Sequence, residues 1–262
     1  MAISYRGGKV AGRTNPSSGV SVAIDSGLTG GSGTAALAGD LVVVTAVTGS
    51  AAGNPAMAVT TPTGYTALGQ LNQSAVNVDT SLDVSYKIMG ATPDTAVTIP
   101  GTTNNAWGEA YSIQVFAGVD PTTPMDATAV SAGGTGTGRP DPGSITPVTA
   151  GAWVVICGGG AAGTGANYTA PTNYTTNFLT ANGADSSDAM VGSGYWDGWT
   201  SGAEDPGGYT GGTTGANDSW CAYTLALRPE PPATDVFFGN VTDEIEYGMR
   251  CSTAAGLGGV LV

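Results

Sequence analysis

Several short phrases occur twice in this chain, in the same order, and that repeat restricts its fold more than any single motif does. GDLVVV begins at Gly39 and GAWVVI at Gly151; PTGYT begins at Pro62 and PTNYT at Pro171, so the intervals are 23 and 20 residues. LDVSYKIM from Leu82 corresponds in position to AMVGSGYW from Ala189. Each half then closes on an Ala-Tyr strand, AYSIQVFAGVD from Ala110 and AYTLALRPE from Ala222. A Thr-rich chain throws up one such match by chance; four in one order indicate two related halves, about 1–130 and 131–229. Two further strands are predicted ahead of the first copy, at Ala2–Arg6 and Val20–Ile24.

The runs LVVVTAV, LDVSYKIM, YSIQVF, WVVIC and YTLAL are short, and Gly/Pro/Asn/Thr clusters separate them, the pattern of an all-β domain rich in turns. With 43 glycines and 15 prolines, almost no window holds apolar residues at helical spacing without a Gly or Pro inside it. Leu82, Val84, Tyr86 and Ile88 alternate with Asp83, Ser85 and Lys87, which predicts sheets with one buried and one wet face. The expected architecture is a jelly-roll-like antiparallel β-sandwich built from two related halves. Arg228–Thr234, RPEPPAT, ends the last strand with three prolines in five residues. Residues 230–262 are too few for a core of their own, so they are expected to form a Pro-linked tail that docks on this domain or on a neighbour.

Twenty Asp/Glu stand against seven Lys/Arg, a net charge of −13. That balance disfavours nucleic acid and anionic membrane surfaces as partners, because neither phosphate neutralisation nor a polybasic footprint is on offer. No apolar stretch approaches the ~20 residues of a membrane span. MAISYRGGKVAGRT lacks the apolar core of a signal peptide, so synthesis in a cytosol is expected. Cys157 and Cys221 in predicted strands, with Cys251 in the tail, then read as reduced thiols packed as small hydrophobes. The chain has no histidine, which closes Ser-His-Asp and Cys-His catalysis, imidazole bases and His-containing metal sites.

Trp153–Gly165 reads WVVICGGGAAGTG, and Gly158, Gly160 and Gly163 satisfy G-x-G-x-x-G. A dinucleotide site needs a helix starting at those glycines. ANYTAPTNYTTNF follows instead, and Pro171 lacks an N–H. The equivalent first-half segment, VVVTAVTGSAAGNPAM, carries no such fingerprint, so a strand running into a surface loop is expected, and no cofactor. Asp185, Asp188, Asp197, Glu204, Asp205 and Asp218 read as solvated loop acids, with Ca²⁺ binding and paired-carboxylate hydrolysis as lesser alternatives. Beside them, GYWDGWTSGAEDPGGY offers Tyr195, Trp196, Trp199 and Tyr209 as a candidate interaction surface, for glycan or receptor contact or for packing against an adjacent subunit, with packing under their own loop as the other reading. Arg6, Lys9 and Arg13 lie near one terminus, and Asp243, Glu244 and Glu246 near the other. A basic arm of one copy meeting the acidic tail of another is the candidate assembly contact. No catalytic, cofactor or metal-binding residue is assigned.

The first half resembles a class of tailed-bacteriophage structural proteins usually described as minor tail, tail-fibre-like or virion proteins. The likeness rests on the AISYR opening, the Gly/Ser/Thr spacer, GDLVVV from Gly39, the Pro62–Thr66 turn, the V-x-Y-K strand Val84–Lys87 and FAGVDPTTPMDA, Phe116–Ala127. It spans about residues 1–229 and implies a non-enzymatic β-sandwich assembled into a virion inside a bacterial cytoplasm. The expected partners are other virion proteins, copies of the chain itself and a host-surface glycan or receptor, without membrane insertion. The expected place is the tail, tail tip or fibre. The alternatives are a capsid decoration protein, a glycan-binding module and, last, a carboxylate hydrolase.

Overall fold

The computed structural model describes residues 1–14, 16–51, 59–102, 108–161, 167–174, 177–182, 189–212, 215 and 217–232. Among these there are fourteen strands and no helix. The first half holds β1 (Ser4–Thr14), β2 (Val20–Ala23), β3 (Leu41–Ala51), β4 (Thr66–Gln73), β5 (Val78–Ile88), β6 (Ala96–Ile99) and β7 (Gly108–Ala117). The second holds β8 (Met125–Thr135), β9 (Trp153–Ala161), β10 (Tyr168–Thr169), β11 (Leu179–Asn182), β12 (Ala189–Trp196), β13 (Thr210–Gly211) and β14 (Ser219–Leu227). The chain divides into two units, Met1–Glu230 and Pro231–Val262. Almost all of the second, with Asp243, Glu244, Glu246 and Cys251, lies outside the described residues.

Two five-stranded antiparallel sheets form the sandwich, in the orders β1-β7-β3-β5-β4 and β8-β14-β9-β12-β11. Each strand of the first sheet has its counterpart at the same place in the second. A jelly roll carries successive strands across from sheet to sheet; here each sheet is drawn from one half, and like sheets are stacked. The shared turns follow from backbone chemistry. In both copies an Ala-Gly pair precedes the first central strand, with Gly39 and Gly151 at φ 82°. The Asp40 N–H donates to the Leu37 carbonyl (3.1 Å) and the Ala152 N–H to that of Thr149 (3.0 Å). In PTGYT and PTNYT the tyrosine N–H closes on the proline carbonyl, at 3.0 and 3.1 Å. The third position is left-handed in each, Gly64 at φ 82° and Asn173 at φ 73°, the requirement of a type II turn and a reason for Gly or Asn there.

Strand register refines the repeat. Val43 pairs with Tyr86 and Val155 with Tyr195, so these tyrosines are equivalent, and Leu82 matches Val191. The Ala-Tyr match does not hold. Tyr111 pairs with Ala46, whereas Tyr223 pairs with Cys157, the counterpart of Thr45. A slip of one residue turns a side chain to the other face, and Tyr111 and Tyr223 indeed enter different cores. The edge strands supply another repeat: Ala11-Gly12-Arg13-Thr14 and Ala132-Gly133-Gly134-Thr135 occupy matching register positions.

Between the sheets lies a core that includes Leu41, Val43, Leu82 and Phe116 from one side and Val155, Val191, Tyr223 and Leu225 from the other. The outer faces are covered as well. Val22, Ile24, Val97 and Ile99, from β2, β6 and the residue after β2, pack on Val42, Val44, Ile113 and Val115. Ile145, Tyr168, Tyr174, Trp199 and Tyr209 pack on Val154, Ile156 and Met190. The expected wet faces are therefore absent from the central strands: Asp83 and Ser85 are 1% and 0% exposed. The long connections fold back as extra layers, and burying each large aliphatic side chain contributes about 1.5–3 kcal/mol. The glycines of WVVICGGGAAGTG also differ from expectation, since Gly158, Gly159 and Gly160 continue β9. A Cβ on Gly159 would collide with the Val47 side chain and the Met190 carbonyl. Gly159 thus makes the close sheet–sheet contact, while Gly158 and Gly160 face Pro140, Tyr209 and Tyr168 of the covering layer; Gly163, the last glycine of the motif, lies outside the described residues.

Candidate functional site

The four aromatics proposed as one surface are split by the pleat. Adjacent strand residues point to opposite faces, so Tyr195 enters the inner core while Trp196 turns outward. Tyr195 stacks on Trp153 (centroids 4.8 Å, planes 14° apart) and meets Tyr5 and Phe116. Asn177 Nδ2 donates to its hydroxyl at 2.8 Å. Beyond β12 the chain returns over the outer face of the second sheet, held by paired backbone bonds between Ile145 and Glu204, both 2.8 Å. That return carries Trp199 and Tyr209 inward. Trp199 Nε1 donates to the Gly202 carbonyl (2.9 Å), and the Tyr209 hydroxyl donates to that of Gly192 (3.0 Å). Tyr209 also contacts the rings of Tyr168 and Phe178. Trp196 is half-buried, beside Tyr174. Of the readings the sequence left open, the structure has packing within the chain: Tyr195, Trp199 and Tyr209 are buried with their polar tips bonded, and half-buried Trp196 lies against Tyr174.

Two of the three basic residues are likewise engaged. The segment expected to be an arm is β1, a full strand paired with β7. Arg6 Nε lies 2.5 Å from Asp40 Oδ2, and Arg13 binds the Glu109 carboxylate, also at 2.5 Å, and the Ser18 carbonyl. Burial pushes the Glu109 carboxyl up to about 7, against the opposing pull of Arg13. Lys9 is half-buried at a cavity of about 320 Å³ that Thr29, Tyr111 and Leu179 also line. Arg6 and Arg13 thus fasten β1 to its own sheet. Their proposed partners Asp243, Glu244 and Glu246 lie outside the described residues.

Among the described residues the acids do not converge. Asp218 is buried, accepting from the Gly215 N–H and from Asn77 Nδ2 (3.4 Å). Glu204 accepts from the Tyr174 hydroxyl at 3.2 Å. Its carboxyl is raised by burial and by neighbouring Asp205, against the Tyr174 hydrogen bond. Asp185 and Asp188 lie outside the described residues. Among the described residues no group of three or more Cys, Asp or Glu is placed to hold a metal ion, and no helix is long and apolar enough to cross a membrane. Cys157 and Cys221 are buried and unpaired, and burial pushes both thiols up to about 12. At neutral pH they are protonated and poor nucleophiles.

Sequence reasoning missed the connection between the halves, Gly118–Pro124. The Asp120 carboxylate accepts from the Thr122 and Thr123 N–H groups (2.8 and 3.1 Å), and Gly118 is left-handed at φ 73°. Asp126 then accepts from the Val148 and Thr149 N–H groups and from Arg228 Nε. Burial would raise its pKa, yet these bonds hold it below the ordinary carboxylate range. The signal was FAGVDPTTPMDA, an Asx-type turn between two strands. Compared with protein-family models, with curated proteins and with solved structures, the chain matches none.

Proposed function

We propose that this chain is a non-enzymatic structural subunit of a tailed-phage virion, carried in the tail or tail tip. What supports this reading is where the segments that resemble phage structural proteins fall. AISYR opens β1, and its Arg6 holds Asp40 of GDLVVV. PTGYT is the turn that leads into β4, and V-x-Y-K lies in β5. FAGVDPTTPMDA is the crossing from one sheet to the other. Each shared segment is framework: strand, turn or inter-sheet joint. What this chain has in common with the class is thus a body, and a body is what a particle subunit supplies. Burial of Tyr195, Trp199 and Tyr209 and the internal pairing of Arg6 and Arg13 favour this reading over glycan binding and a clamping capsid arm.

Peptide mass spectrometry of gradient-purified particles tests the reading. The chain should band with the particles at a fixed ratio to the tail proteins and persist through salt washes. Recovery only in the particle-free supernatant would refute it.

A further inference from the structure

The two outermost strands β1 and β8 are equivalent, each eleven residues long, yet their free edges differ. The edge of β1 is closed by its own chain. Gly8 and Thr29 exchange backbone bonds (2.9 and 3.1 Å), and the Ser32 and Gly33 N–H groups donate to the carbonyls of Tyr5 and Arg6. It also carries Arg6, Lys9 and Arg13. Where β1 has Lys9 and Arg13, β8 has Val130 and Gly134. Among the described residues, the backbone of 127–135 pairs with β14 alone. No charged residue occurs from Ala127 to Gly138, nor anywhere in β4, which lies against β8 where Gly133 approaches the Gln73 side chain. Native sheets protect open edges with charge, proline or a cover; this copy of the edge lacks the charge of the other and, among the described residues, the backbone cover that the other has.

We propose that the free edge of β8 is a self-association surface, at which β8 of a second copy pairs antiparallel about a two-fold axis to continue the sheet. The second copy is favoured on two grounds. An antiparallel edge is complementary to itself under a two-fold rotation. In a chain of net charge −13, copies repel over most of their surface, and this uncharged side is where they can approach. The inference rests on the assembly reading above only in taking a like chain as partner, and it stands or falls separately from location on a particle.

The test uses the full chain in solution. Light scattering after size exclusion should give the mass of two 25.7 kDa chains, and dilution should give a monomer. Hydrogen exchange of the 127–135 amides should slow as concentration rises. Thr128 and Ser131 are exposed, so T128K/S131K should fold normally by circular dichroism while weakening dimerisation about tenfold or more. A wild-type monomer at every concentration, with β8 exchange unaffected, would overturn the proposal. So would a dimer that the double variant leaves unchanged, or open-ended polymers abolished by lysine in β4 and not in β8.

Discussion

At Gly159 the absence of a side chain is what allows the two sheets to meet, because Val47 and the Met190 carbonyl occupy the space a methyl group would need. Gly159→Ala should cost about 3 kcal/mol in urea unfolding. Gly90→Ala, with open space around it, should change little. Glu109 gives a second residue-scale expectation. Its carboxyl titrates near 7 when folded and near its ordinary 4.5 when unfolded. A raised folded pKa means the folded state holds the proton more tightly, so this contribution is complete below about 4.5 and is lost as pH rises through about 7. Glu109→Gln should therefore flatten the fall in stability over that window, read by urea unfolding at a series of pH values. Neither feature was legible in the sequence. Three successive glycines favour a loop by propensity, and only a neighbouring sheet at close range makes them strand. Glu109 sits in an alternating strand as a wet-face residue would, and its burial comes from the layer folded over it.

The elements were more legible than their alignment. PTGYT and PTNYT revealed themselves because a left-handed third position admits few residues, and Gly and Asn are the usual ones. Gly64→Ala should destabilise by about 1–2 kcal/mol through backbone strain alone, while Asn173→Gly should stay within about 0.5 kcal/mol. Thermal unfolding of the two variants measures the difference. The Ala-Tyr pair misled because Tyr is common in strands of either face, and register depends on pairing partners that a single strand does not display. Tyr195, Trp196, Trp199 and Tyr209 looked like a cluster for the same reason. Their spacing in sequence was visible, but the pleat that sends Tyr195 inward and the return of the chain that buries Trp199 and Tyr209 were not.

At the scale of the molecule, the repeat says that each half makes one sheet whose inner face needs the other half. Chains cut within Pro121–Pro124 and co-expressed should reassemble into one sandwich, recovered together by affinity capture on either half. Each alone, exposing Leu41, Leu82 and Phe116 or Val155, Val191 and Leu225, should aggregate. Among the described residues, the segments shared by the two copies are strands and turns that hold the frame. That frame suits the proposed role as a particle subunit. Cryo-electron imaging of intact particles, with the full chain's sandwich fitted to the density, tests this most directly. Two stacked five-stranded sheets at regular positions along the tail or at its tip are expected. Particles whose tail density has no place for the sandwich would contradict it.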